Sequence, residues 1–278
     1  MKISLIKLET LIDILVNTKS SLGQVTDDSE MTLSLLYSLN ENNGKYDKET
    51  TLYQYFDWAH ESKCPFLGKN TRKLLTIKTI RGYEKRYKDV FSLPESEWTQ
   101  SNGSLMRCSP LFLHSDEDII TDCKLTNPHP INLECNLIYC HSLKRLHQGM
   151  DSKKVYNLAL EESKLTKELF HNKLNYEENK GLAINAFQLA INSLLDDRDY
   201  QNQINDIIFK NLGGDTDTNA AITGAMLGMR FGFTKLMENK ITNNNWKIVL
   251  NCDSTKGDYP RPEKYSVKNL DKLIKIYN

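Results

Sequence analysis

Gly213-Gly214-Asp215-Thr216-Asp217-Thr218-Asn219-Ala220-Ala221-Ile222-Thr223-Gly224-Ala225 places two carboxylates on a glycine-led turn that runs straight into a run of small residues. Gly213 and Gly214 let the backbone take positive φ and approach a ligand closely, while Asp215, Asp217 and Thr218 offer hard oxygen donors around one point. A calcium EF-hand would need Gly at the sixth position and Glu at the twelfth, and the chain has Ala220 and Met226 there. An aspartyl-phosphate enzyme would need its nucleophile at the end of a buried apolar strand, which Asn211-Leu212-Gly213-Gly214 is not. Beyond the turn, Gly224, Gly228 and Gly232 recur every four residues beside Ala220, Ala221 and Ala225, a helical face narrow enough for another helix to approach.

Outward from this segment, helical periodicity dominates. Apolar residues at three- and four-residue spacing predict helices over Leu5 to Leu15, Asp28 to Leu39, Leu52 to Ala59, Asn132 to Leu146, Val155 to Phe170, Leu182 to Leu195, Gln203 to Leu212 and Ala220 to Phe233. The polar cluster Asn40-Glu41-Asn42-Asn43-Gly44 ends the second of these. Alternating strand patterns are almost absent, and Pro128-His129-Pro130 and Pro260-Arg261-Pro262 read as loops. The expectation from periodicity is a mainly helical, compact single-domain bundle over residues 1–278, with residues 1–23 as an N-terminal helix.

Composition narrows the function. Thirty-six Lys and Arg against 36 Asp and Glu give zero formal charge, which provides no global field for a phosphate backbone or anionic lipid. Lys7, Glu9 and Asp13 interrupt the only candidate leader, and no apolar window approaches the ~18 residues of a membrane span. Six cysteines in 278 residues are too sparse for a disulfide scaffold. The reading is a cytoplasmic protein with reduced thiols, no direct nucleic-acid partner and no membrane association.

Two further segments carry chemistry. Thr26-Asp27-Asp28 precedes a helix and can present oxygen ligands to one cation; its ordinary reading is a capping box between Asp27 and Glu30. Ser101-Asn102-Gly103-Ser104-Leu105-Met106-Arg107 is a polar turn whose amides and side chains suit a diphosphate or ribose hydroxyls, and Asn-Gly is also a common turn. His129, flanked by prolines, is expected to be exposed and available to a ligand. Cys135 and Cys140 lack a second pair at zinc spacing and read as helix-face core residues, and Trp58, Trp98 and Trp246 as packing residues.

In order and wording, Gln24-Val25-Thr26-Asp27-Asp28-Ser29-Glu30-Met31, then the turn from Ser101, then Leu125-Thr126-Asn127-Pro128-His129-Pro130, then the segment from Gly213 resemble the ADP-ribosylglycohydrolase family, over about Gln24 to Pro262. The resemblance implies an all-α fold around a binuclear magnesium site and hydrolysis of the bond joining ADP-ribose to a protein side chain or small acceptor. It implies that Thr26, Asp27 and Asp28 join Asp215, Asp217 and Thr218 as ligands of two Mg2+ ions. By the same resemblance Ser101, Asn102, Gly103, Ser104, Met106, His129, Gly213 and Gly214 line the ADP-ribose; with the family's first acidic residue unmatched, either Asp27 or Asp28 doubles as ligand and base, or Glu9 is recruited from an altered first helix. The chain departs from the family where a glycine-rich first helix with a following acidic residue is usual, Glu9 being the only Glu in that lead, and where Thr126-Asn127 stands for the usual Thr-His. An alternative from another class follows from those departures: an ADP-ribose-binding protein that keeps the cage and has lost turnover.

Overall fold

The computed structural model describes residues 21–61, 67–168, 181–209 and 215–277. Among these the chain is all-α, with thirteen α-helices, short 3-10 turns and a single antiparallel bridge between Ser101 and Leu182. No described helix is long and apolar enough to cross a membrane. The N-terminal segment expected as a helix over Leu5 to Leu15, with Glu9, lies outside the described residues.

The chain divides into two compact units, one formed by residues 21–99 together with the segment from Asn244, the other by Gln100–Asn243. In the first, α1 (Asp27–Glu41) buries Met31, Leu33, Leu35, Leu36 and Leu39 and packs along α2 (Lys48–His60). The expected break after α1 is present: Asn43 and Gly44 both take positive φ, and the Gly44 N–H returns to Leu39 O at 2.7 Å, closing the last turn. Asp47 then caps α2 by accepting from the Thr50 N–H at 2.8 Å. Short helices α3 (Lys69–Leu75) and α4 (Ile80–Val90) follow, and an aromatic chain of Phe56, Tyr83, Tyr87, Phe91 and Trp98 joins α4 to α2 with ring centroids 4.7 to 5.9 Å apart.

In the second unit, α5 (Asp116–Lys124) opens with a capping box between Ser115 and Asp118. Helix α6 (Pro130–His147) packs against α5, α7 (Ser152–Glu162) and α8 (Ala183–Asn192). Helices α9 (Tyr200–Phe209) and α10 (Thr216–Phe231) complete the layer, followed by α11 (Phe233–Glu238). Tyr139, fully buried on α6, donates to Ile222 O of α10 at 2.8 Å.

Two sequence expectations need correction here. The helix expected to reach Phe170 ends at Glu162, because the Glu134 carboxylate accepts the N–H groups of Lys164, Leu165 and Thr166 at 2.9 to 3.1 Å and draws the chain off the helical path. The glycine face of α10 is not one continuous close approach. A methyl at Gly224 would lie 3.3 Å from the Tyr200 hydroxyl and 3.9 Å from Ile204, so α9 does press there, whereas Gly228 faces open space and Gly232 ends the helix at φ +78°.

Helix α12 (Lys240–Asn251) leads back to the first unit, where Val249 packs with Val25 and Val267. Near the C-terminus, Leu273 of α13 (Leu270–Leu273) buries against Leu33 and Leu36, and Asn40 donates to Leu273 O at 2.7 Å.

Candidate active site

Thr26 takes the extended conformation of an N-cap before α1, but its side chain makes no capping bond, and its hydroxyl oxygen is buried without a hydrogen-bond partner. Asp27 is partly exposed and Asp28 is 2% exposed. Both carboxylates occupy the first turn of a helix, where the exposed N–H groups and the aligned peptide dipoles favour negative charge.

The capping box expected between Asp27 and Glu30 does not form, because Glu30 is turned into the core. Arg261 Nε lies 3.1 Å from each Glu30 oxygen, Arg261 Nη2 lies 3.0 Å from Oε2, and Trp58 Nε1 donates to Oε2 at 2.7 Å. Burial pushes the Glu30 carboxyl up, and Arg261 and Trp58 partly offset that rise. Trp58, expected only to pack, is therefore also a donor.

In the second unit, Asp215 stands at the N-cap of α10 without capping through its side chain. Instead its Oδ2 accepts from Asn102 Nδ2 at 2.8 Å. Gly181, at φ +76°, passes close enough that a Cβ there would sit 3.5 Å from the same oxygen. Asp217 is exposed and accepts the Thr218 N–H at 2.9 Å, and Thr218 is buried. Gly213 and Gly214 lie outside the described residues.

The turn from Ser101 meets this carboxylate through Asn102 and is itself held from beneath. Asn102 N–H donates to Gly181 O at 2.8 Å, and Ala183 N–H to Gln100 O at 2.8 Å, the pairing that makes the bridge. Asn127 Nδ2 donates to both Ser101 O and Ser101 Oγ at 3.0 Å, and Asn132 Nδ2 to Ser101 O at 2.7 Å. The Ser104 hydroxyl, fully buried, accepts from Asn136 at 3.1 Å and from the Cys123 thiol at 3.3 Å. Gly103 and Met106 are partly exposed on the same turn. Beneath them Arg107, with no exposed surface, donates to Gly103 O, Thr126 Oγ1 and both the side chain and the carbonyl of Asp122 at 2.9 to 3.0 Å.

His129 differs from its expected exposure. It is 8% exposed and caps α6, its Nδ1 accepting the Ile131 N–H at 3.2 Å, with Pro130 in the first helical turn. Its Nε2 lies 3.3 Å from the Gln100 side-chain nitrogen. Proline-flanked histidine reads as a loop residue in sequence, but proline at the start of a helix needs no N–H partner and leaves the preceding residue free to cap. Cys135 and Cys140 are buried on α6 as expected.

Sequence reasoning missed Glu30 with Arg261, and Arg107 with Asp122, Asn127, Asn132 and Asn136. The available signal for the second group was two asparagines four residues apart on the apolar face of α6, since unpaired amides are costly to bury.

All donors in the two aspartate clusters are oxygens, a set suited to a hard divalent cation, and the buried, partnerless Thr26 hydroxyl fits such a ligand role. Among the described residues of either unit taken alone, no three His, Cys, Asp or Glu side chains gather as they would around a metal ion.

The sequence model of the ADP-ribosylglycohydrolase family matches residues 5–247. The chain belongs to that family. Among relatives of this ADP-ribosylglycohydrolase chain, a protein of Acanthamoeba polyphaga mimivirus, provisionally named an ADP-ribosyl glycohydrolase, is 28% identical over 287 aligned residues, covering 89% of this chain and 80% of the relative. The ADP-ribosyl-dinitrogen reductase glycohydrolase of Rhodospirillum rubrum is 23% identical over 238 residues, covering 81% and 75%. A solved structure titled as an ADP-ribosylglycohydrolase-related protein complex superposes with a TM-score of 0.56 at 21% identity, over 82% of this chain and 81% of that one, and shows the fold. In this member of the family, the Thr126-Asn127 departure is absorbed structurally. Thr126 takes the Arg107 guanidinium and donates to Asn127, whose amide holds Ser101.

Proposed function

We propose that this chain is a magnesium-dependent hydrolase that cleaves ADP-ribose from a modified protein side chain or a small acceptor, acting in the cytoplasm as one functional domain over residues 1–278. Family membership supports hydrolysis of an ADP-ribosyl linkage, and the observation that carries the metal reading is the buried Thr26 hydroxyl with no partner, set beside Asp27 and Asp28. Thr26, Asp27 and Asp28 would hold two Mg2+ ions together with Asp215, Asp217 and Thr218, because hard cations take about six oxygens and neither cluster supplies them alone. Bound divalent cations would activate water and offset charge on the ribose as the anomeric bond breaks through an oxocarbenium-like state.

The protein's own residues do the rest. Asp27 or Asp28 receives a proton from the attacking water. Asn102 holds the Asp215 carboxylate in a fixed rotamer. The Ser101 to Ser104 turn, with Gly213 and Gly214, receives the diphosphate and distal ribose, Met106 and the His129 loop shape the adenosine side, and the Ser104 hydroxyl and His129 support that surface through the bonds they make beneath it.

The deciding experiment mixes the purified chain, Mg2+ and peptides ADP-ribosylated on defined side chains, and follows free ADP-ribose. The expected result is magnesium-dependent release that is lost in Asp28→Asn and Asp215→Asn. Tight ADP-ribose binding without release would make the chain a binding protein that has lost turnover. Absence of both release and binding overturns the proposal.

A further inference from the structure

We propose that Arg261 is a positioning residue that sets the first turn of α1, and through it the aim of Asp27 and Asp28; the inference rests on the metal-ligand reading above. Glu30 is tied to that turn by its backbone, since its N–H makes the opening helical bond to Thr26 O at 2.9 Å. Its side chain is tied just as firmly from the other side. Three donors, Arg261 Nε, Arg261 Nη2 and Trp58 Nε1, engage both carboxylate oxygens, so the group cannot rotate without losing a charge-assisted bond.

Arg261 is in turn immobilised. Its own N–H donates to Ser254 O at 2.6 Å, Nη1 donates to Glu61 O at 2.5 Å, Nη2 reaches Trp58 O at 3.4 Å, and the guanidinium carbon lies 5.3 Å from the Tyr265 ring centroid. The C-terminal segment, α2 and the start of α1 are thereby locked to one planar group.

Energetics argue that this lock serves orientation. Arg261 and Glu30 have side chains 0% and 1% exposed, and the cost of dehydrating two charges commonly matches or exceeds their attraction. A pair of apolar side chains of similar volume would spare that dehydration, at the cost of the bonds to Trp58 Nε1, Trp58 O and Glu61 O. What apolar side chains cannot supply is a bidentate, angle-specific grip on a residue whose N–H is bonded to Thr26 and which lies two positions from Asp28. A grip one layer behind a ligand group typically changes metal affinity by 10- to 100-fold.

The test compares Arg261→Met/Glu30→Leu and Arg261→Lys with the parent by thermal unfolding and by calorimetric titration with Mg2+ in the absence of substrate. The double variant removes both buried charges and keeps the volume, but it leaves the buried Trp58 Nε1–H without its acceptor; the expected result is a folded protein with lowered melting and Mg2+ affinity about 10-fold weaker or more. Arg261→Lys keeps the charge without the fork, and its expected result is the same loss with a smaller change in melting. Parental Mg2+ affinity in either folded variant overturns the positioning role and leaves the pair a structural lock. A parent chain that binds no Mg2+ refutes instead the reading on which the inference rests, and Asp28→Asn, measured alongside, separates the two failures by its own loss of binding.

Discussion

Asn102 and Asp215 meet at 2.8 Å, amide nitrogen to carboxylate oxygen, across more than a hundred positions of sequence. The contact couples the turn from Ser101 to the acidic N-terminus of α10 within one unit. A residue read from sequence as a ligand contact is therefore also the orienting partner of a proposed metal ligand.

Asn102→Ala removes that donor while leaving the backbone bond to Gly181 O in place. The expected outcome is Mg2+ affinity about 10-fold weaker, with little change in melting temperature. Calorimetric titration of the variant checks it, and an unchanged isotherm would show that Asp215 needs no orientation.

Arg107 and Asp122 are both entirely buried, with Nε and Oδ2 3.0 Å apart. Arg107→Met strands the Asp122 charge in the core and should destabilise the chain by about 3 to 5 kcal/mol in urea unfolding. Adding Asp122→Leu should recover much of the loss. A single variant as stable as the parent would mean water reaches Asp122.

Glu162 supplies a pH dependence whose sign follows from its partners. Burial pushes its carboxyl up, but Arg145 and His141 outweigh that and hold it below the usual value of 4.5. A carboxylate depressed in the folded state stabilises fully above its unfolded value, and the contribution fades as pH falls below 4.5 through the folded value. The melting temperature of Glu162→Gln should therefore fall less steeply than the parent's between pH 5 and 3, and parallel acid limbs in scanning calorimetry would contradict the assignment.

Cys108, Cys123, Cys135 and Cys140 have no meaningful exposure, and burial pushes the Cys123 thiol up to about 12. Since the thiolate is the reactive form, these four should resist iodoacetamide at pH 8 in the native protein and label fully in guanidinium chloride. Peptide mapping by mass spectrometry reads the outcome, and native labelling at Cys123 would show that the core opens on the labelling timescale.

What could be read from the sequence follows the range of the interactions involved. Helices such as Pro130–His147 announce themselves by a local repeat, and the stop at Asn43-Gly44 by a local backbone preference. Carboxylates at a helix start are ordinary by themselves; the aspartate clusters were visible because Thr26-Asp27-Asp28 and Asp215-Thr216-Asp217-Thr218 stand in an order and wording that resemble the family. The partners of Glu30 were not, since Arg261 stands 231 positions away in a proline-flanked stretch with no pattern of its own. The early end of α7 was hidden for the same reason: it depends on a carboxylate from Glu134, about thirty positions earlier on α6.

One unit is made from residues 21–99 and the segment from Asn244, with Gln100–Asn243 between them in sequence. During synthesis the ribosome therefore releases all of the second unit before the first has received Val249, Arg261 and Leu273, which complete its core. Segments of a growing chain fold as soon as their contacts are available. The nascent protein should thus acquire a protected Asn102–Asp215 pair while Glu30 still waits, uncompensated, for its arginine, which leaves the emerging α1 a substrate for chaperones until Arg261 clears the exit tunnel.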